Sequence, residues 1–403
     1  MPELIDTYLA WQHPLSTPAA PAADEARDNM AYTFDIAVLN IYTLTPSVTV
    51  PRAANATMAQ SLVRNGYLGM TSINPSLAIS LKSLELLRAL RLFKASFSIE
   101  AFAKLLCHYY KLPFRHCYCT VLTDVFEIYL AILREVDKCI TSTLGRDTLN
   151  WRILNACPAC CYKLEDESPQ VWKRMFCIDG NNSLKRIAQV GGRLCSDICV
   201  FNESNYYLLL EYVDQFADEV ENEILQKHDT DEHSNKNDPD QLDEMNDPMT
   251  GTSDSAVIPC TDNWKAAAAD EKKCMWAIFE ETRIFASACP HEFVLWLINM
   301  VRSGKLAKYP LAIISRVLEV FGEKSLCGYD IGCSFEGTIC RSSLGLEWQH
   351  HGCRCCVNAF HGYSHNYRCQ TTNHPNAIIG MSLEDLETLE RVFSRSNELT
   401  PIT

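Results

Sequence analysis

Over the first 60 residues apolar and polar positions alternate without a sustained period, and Pro14, Pro18, Pro21, Pro46 and Pro51 break the chain repeatedly. A short helix over 4–11 and a strand-like run over 37–42 are predicted there, within a segment (1–60) that otherwise reads as poorly ordered. From 61 to 150 the pattern becomes helical. Pro75 and Ser76 open a helix in which Leu77, Ile79, Leu81, Leu84, Leu87, Leu90 and Leu92 recur every two to three residues, as suits a well-buried helix. Ser98 opens a second, with Phe102, Leu105 and Leu106 inward, and 121–144 forms a long amphipathic third. This block is read as a helical scaffold domain.

From 151 onward the period shortens. Met175 to Ile178 is an apolar run that reads as a buried strand ending in Asp179, with Gly180, Asn181 and Asn182 as punctuation. Asp-Gly after a strand is also the signature of a plain hairpin turn. Further strands are expected over 183–190 and 197–201, then a helix over 206–226. A helical stretch is expected over 260–322, including 285–302 and a last helix from Tyr309-Pro310 to Phe321. Residues 326–333 read as a strand carrying Asp330. Near the end, Ser382 with Asp385 three residues on forms a capping-box-like start. Leu383, Leu386, Leu389, Val392 and Phe393 then give an amphipathic helix with Glu390 beside its apolar face.

Charge changes the picture once it is located. The net of −14 over 403 residues argues against a nucleic-acid partner, yet 211–254 holds 15 Asp and Glu against Lys227 and Lys236, a local net of −13. About −1 remains for everything else, so a basic groove is compatible with this chain. Residues 228–256 have almost no apolar content and read as a disordered acidic loop. No run of 18 apolar residues is present, so no membrane span is expected, and residues 1–13 lack a signal-like apolar core. The 20 Cys are therefore expected as reduced thiols or metal ligands.

The soft ligands fall in two places. Cys157-Pro158-Ala159-Cys160 is half of a zinc site, for which Cys260, Cys289 and His291 are distant candidate partners. His361, His365 and Cys369 stand at i, i+4 and i+8 and would share one face of a continuous helix. The absence of Glu beside His361 disfavours a zinc protease. Satisfied core thiols and histidines are the plain alternative in both places.

The order strand–Asp179, strand–Asp330, helix–Glu390 is that of the DDE transposases, whose fold is ribonuclease-H-like. Segments 76–91, 98–106, 157–186, 279–310, 329–333, 360–370 and 380–394 resemble one family closely, the KDZ (Kyakuja–Dileera–Zisupton) transposases. The run Met175-Phe176-Cys177-Ile178-Asp179-Gly180-Asn181-Asn182-Ser183-Leu184-Lys185-Arg186 and the spacing His361-x3-His365-x3-Cys369-Gln370 carry much of the resemblance. So does Glu387-x-x-Glu390-Arg391-x-Phe393-Ser394.

The resemblance implies an α/β protein: a ribonuclease-H-like mixed sheet with flanking helices, an N-terminal helical domain and a helical, acidic insertion. The corresponding division is 1–60, 61–150, 151–205 (first part of the core), 206–322 (insertion) and 323–403 (second part of the core). Asp179, Asp330 and Glu390, with Glu387 as alternative to the last, would hold Mg²⁺ or Mn²⁺ for DNA strand cleavage and transfer. Lys185, Arg186 and Arg391 would meet phosphates. The implied partners are transposon ends and target DNA, bound by a homo-oligomer in the nucleus, with no membrane involved. Zn²⁺ is the implied occupant of the Cys/His sets.

Cys289-Pro290-His291-Glu292 stands where the family has Cys-Arg-His-Gly, and the chain ends 13 residues after Glu390 without an upstream Cys-rich module. An incomplete or decayed copy is therefore expected. The readings that compete with an active transposase are a catalytically silent, transposase-derived DNA-binding protein and a zinc-binding regulatory protein.

Overall fold

The computed structural model describes residues 2–14, 30–94, 96–181, 186–187, 205–219, 279–301 and 307–397. Two compact units divide at Leu149/Asn150. In the first, α1 (Pro2–Gln12) precedes β1 (Met30–Leu39), where buried Ile36 and Val38 alternate with exposed Asp35 and Ala37. That two-residue period makes a half-buried strand. It forms an antiparallel hairpin with β2 (Ser47–Ala53), Ile36 facing Val48. After α2 (Met58–Arg64), β3 (Tyr67–Gly69) and β4 (Leu77–Ser80) complete a sheet ordered β2-β1-β4-β3.

Two expectations are corrected here. Residues 30–60 hold ordered strands, and the helix expected from Pro75 begins only at Leu81. Leu77 to Ser80 spaces its apolar residues by two, and those residues pair in parallel with β1, Val38 opposite Ala78. Three helices close the unit: α3 (Leu81–Phe93), α4 (Ile99–Tyr109), capped by Ser98 on the Ala101 N–H, and α5 (His116–Thr143). The last is long and apolar enough to cross a bilayer, but Leu122, Val125, Phe126, Tyr129, Ile132 and Val136 pack it into this unit's core, and a core helix passes the same test.

The second unit starts with two short helices, α6 (Trp151–Asn155) and α7 (Pro158–Cys161). Its central strand β5 (Arg174–Asn181) is followed by β6 (Arg186–Ile187), α8 (Leu210–Asp214), β7 (Phe279–Ala288) and β8 (Val294–Val301). Then come α9 (Lys308–Phe321), β9 (Ser325–Gly328), α10 (Gly332–Arg341), α11 (Gly345–His350) and β10 (Arg354–Cys356). The chain closes with α12 (Ala359–Gly362), α13 (Tyr367–Asn373) and α14 (Thr388–Ser396). The sheet runs β10-β9-β5-β7, with β6 and β8 both paired to β7. Strands β10, β9 and β5 run parallel to one another, and β7 is antiparallel to β5, β6 and β8.

The helical reading of 285–302 is overturned: that stretch is a β-hairpin. Ile284 to Ala288 and the whole of β8 are nearly continuous apolar runs, and such runs carry no period that separates a buried strand from a buried helix. The sheet therefore draws two strands from the range assigned to a helical insertion. Strands expected over 183–190 and 197–201 lie outside the described residues apart from β6, as does the acidic loop 228–256.

The two faces of β5 have different tasks. Phe176 and Ile178 point into a core with α9 residues Leu311, Ile314 and Val317, while Cys177 faces Leu389 and Phe393 of α14. Asp179 follows Cys177 by two residues, so it lies on the α14 face.

Candidate active site and metal-ligand clusters

Cys177 on β5 is registered with Gly328 on β9, and the two strands are parallel. Asp179 and Asp330 each lie two residues further on, which brings both carboxylates to one end and one face of the sheet. Gly328 is required for this arrangement: a Cβ there would stand 2.6 Å from Leu386 Cδ1. Leu386 is fully buried at a left-handed φ of 57°, and Ser382 is left-handed too, at 56°. These two conformations interrupt the helix expected from Ser382, so α14 begins at Thr388 instead.

Asp330 accepts a hydrogen bond from Asn358 Nδ2 (3.0 Å) and has His361 Nδ1 3.3 Å from its Oδ1. The same His361 nitrogen is 3.8 Å from Glu387 Oε1, which also accepts from the Phe360 N–H at 2.8 Å. Glu390, by contrast, is exposed and has neither a hydrogen bond nor an ion pair among the described residues. Asp179 is pushed up to about 7, first by burial and then by Asp330, with Glu390 and Glu387 adding and the Gly180 N–H opposing at 2.6 Å. Burial also pushes Asp330 up, to about 6, against the pull of His361, and Glu387 and Glu390 reinforce it. Four acidic groups therefore share one electrostatic neighbourhood. A cation relieves such a cluster.

Arg391 is engaged close by, with Asp385 at 2.9 Å and Glu292 at 3.3 Å. Lys185 and the side chain of Arg186 lie outside the described residues. The Asn358 contact and the His361 contact with Asp330 had no sequence signal, because both residues belong to the short helix α12 and its N-cap, whose placement over Asp330 depends on the sheet.

The first soft cluster assembles as four residues. Cys157 and Cys160 begin and end the first turn of α7, and Cys289 and His291 sit in the tight turn between β7 and β8; their ligand atoms lie within 4.8 Å of one another. His291 Nδ1 is 3.4 Å from Cys157 Sγ and 3.3 Å from Cys160 Sγ. Cys289 is pushed down to about 5, first by a hydrogen bond from Cys160, with the His291 and Phe293 N–H groups assisting, so a thiolate is favoured there. Cys260 lies outside the described residues.

The second cluster differs from its sequence expectation. Residues 363–366 separate α12 from α13, so His361, His365 and Cys369 do not share a helix face. His361 turns to Asp330, while His365 and Cys369 meet Cys333 of α10 with ligand atoms again within 4.8 Å. Cys333 was not predicted; its one signal was a position three residues after Asp330. Both clusters can hold a metal such as zinc.

An α/β protein with a half-buried carboxylate pair and two Cys/His clusters is the class this geometry defines. A family model for the Kyakuja-Dileera-Zisupton transposases matches residues 172–403, and the chain belongs to that family, which supports a transposase-type function with DNA as the partner. No curated protein and no solved structure matches.

Proposed function

We propose that this chain carries a DDE-type catalytic site on a ribonuclease-H-like sheet and cuts and joins DNA strands at Asp179, Asp330 and Glu390. The observation that carries the reading is the pair of half-buried carboxylates, two residues beyond the registered Cys177 and Gly328 on neighbouring parallel strands. Their raised affinity for protons is what a site built to hold a cation displays when judged without one. Antiparallel β5, β7 and β8, with the short β6 also on β7, followed in the chain by β9 and β10 parallel to β5, and helices on both faces, support the ribonuclease-H-like reading.

Mg²⁺ or Mn²⁺, when bound, activates the attacking water or 3′-hydroxyl and stabilises the leaving oxygen. The side chains have separate tasks around it. Asp179, on the rigid central strand, would hold the cation together with Asp330. Asn358 and His361 orient the Asp330 carboxylate. Glu387 is held by the Phe360 N–H and His361, so it positions His361, whereas Glu390 keeps its oxygens available as the third ligand. Lys185 and Arg186 are the proposed phosphate contacts, and Arg391 instead braces the Asp385 turn against Glu292.

The test is cleavage of end-labelled duplex and single-stranded oligonucleotides in Mg²⁺ or Mn²⁺. Asp179→Asn and Glu390→Gln should abolish cutting, while Glu387→Gln should slow it about 10- to 100-fold, as loss of a positioning partner does. Cutting by wild type that survives Asp179→Asn sinks the reading. DNA binding without cutting by either would leave a chain that only binds.

A further inference from the structure

We infer that Cys333, His365 and Cys369 form a zinc site that fixes Asp330 in place, a role resting on the carboxylate-site reading above. Both Cys333 Sγ and Cys369 Sγ stand 3.5 Å from His365 Nδ1. Zinc bonds of about 2.3 Å to sulfur and 2.0–2.1 Å to nitrogen, at a tetrahedral angle, put those atoms about 3.5 Å apart.

The imidazole is already in the required tautomer. His365 Nε2 is 3.0 Å from the Asp330 carbonyl, which can only accept, so Nε2 carries the hydrogen and Nδ1 presents its lone pair to the sulfurs. One lone pair accepts one S–H well, yet two sulfurs stand at the same distance from it; a metal satisfies all three atoms together. Asn373 Nδ2 donates toward Cys369 Sγ at 3.6 Å, as suits a thiolate. His365 and Cys369 are both buried.

Two other histidines are spoken for. His374 uses Nε2 on the Ala359 carbonyl and Nδ1 on the Asn376 N–H, and His361 Nδ1 faces Asp330 and Glu387. Two thiolates, a neutral imidazole and Zn²⁺ sum to zero charge. The complex therefore adds no anion beside a crowded carboxylate site. Through Cys333 and the His365–Asp330 bond, it ties the 330–333 turn to α13.

The experiment uses the full chain and counts zinc after dialysis, then titrates Mn²⁺ by electron paramagnetic resonance. Wild type should hold two zinc ions, one in each Cys/His cluster. Cys333→Ser should lose one and weaken Mn²⁺ binding about tenfold, whereas Cys157→Ser should lose one without changing Mn²⁺ affinity. Cys333→Ser that keeps both zinc ions overturns the site while leaving the carboxylate reading intact. Wild type that holds both zinc ions but binds no Mn²⁺ sinks the carboxylate reading and the positioning role together. A readout without mutation guards against misfolding: in wild type, partly exposed Cys333 should react with iodoacetamide only after chelation. Equal reaction with and without chelator overturns the proposal.

Discussion

Replacing Asp179 by Asn keeps the side-chain shape and the acceptor for the Gly180 N–H, and it removes one charge from the acidic cluster. The sign of the stability effect follows from the raised affinity for protons. Asp179 is pushed up to about 7, mainly by burial and then by Asp330, against an ordinary value of 3.8. The folded chain thus holds this proton more tightly than the unfolded chain does. Its contribution is fully present below pH 3.8 and is lost as pH rises through about 7. At about 1.4 kcal/mol per tenfold change in proton affinity, ionising Asp179 in the metal-free fold costs about 4 kcal/mol at pH 8 and less than about 2 kcal/mol at pH 5.

Asp179→Asn escapes that cost. In urea titrations with chelator present, followed by fluorescence with Trp296 and Trp348 as fully buried reporters, the variant should be more stable than wild type at pH 8. The margin should be several kcal/mol there and shrink sharply at pH 5. Mg²⁺ should close the gap at pH 8 by stabilising wild type alone. An advantage that does not change with pH, or a wild type that is the more stable at pH 8, refutes the argument.

Two further outcomes test the frame around the site. Gly332→Ala would place a Cβ 2.1 Å from the Cys356 carbonyl oxygen, and backbone cannot yield cheaply, so overpacking should cost about 1–3 kcal/mol in urea midpoint and lower Mg²⁺-dependent cutting by displacing Asp330. Leu389→Ala removes an α14 side chain buried against β5, and should cost about 2–5 kcal/mol by the same titration and impair cutting through Glu390, the next residue of the helix.

What was legible in the chain follows from how local each signal is. Met175 to Ile178 is apolar, short and bounded by turn residues, so β5 could be read directly, and a strand at Leu326–Gly328 likewise. The hairpin within 284–301 could not, because Ile284 to Ala288 and Val294 to Ile298 are unbroken apolar stretches but for Ser287 and the turn, with no alternation in residue type to mark a strand. The start of α14 was misread because Ser382 and Asp385 satisfy a capping pattern, whereas the packing of Leu386 against Gly328 imposes a left-handed backbone that no local pattern encodes. The Cys157/Cys160 and Cys289/His291 set could be nominated from ligand type, and the sheet brings it together. Cys333 could not, since its partners lie more than 30 residues away and meet it only through the turn after α12.

That turn explains why His361-x3-His365-x3-Cys369 does two things at once. On a continuous helix the three residues would crowd one metal. Instead Asn366 caps a new helix by accepting from the Cys369 N–H, and the intervening turn rotates His361 away from His365. His361 then meets the carboxylates of Asp330 and Glu387, while His365 meets the sulfurs of Cys333 and Cys369. Carboxylates suit Mg²⁺ or Mn²⁺ and thiolates suit zinc, so under the proposed reading the break sends one histidine to the carboxylates and the other to the thiols within one short motif. The two sides stay linked through Asp330 itself, whose carboxylate belongs to one and whose carbonyl is held by the other. A chain that lost the capping Asn366 would let the histidines realign. Asn366→Ala should therefore disturb zinc retention and the Asp330 carboxylate together, seen as a paired loss of zinc and Mn²⁺ affinity, and loss of only one of them would show that the two halves of the motif act independently.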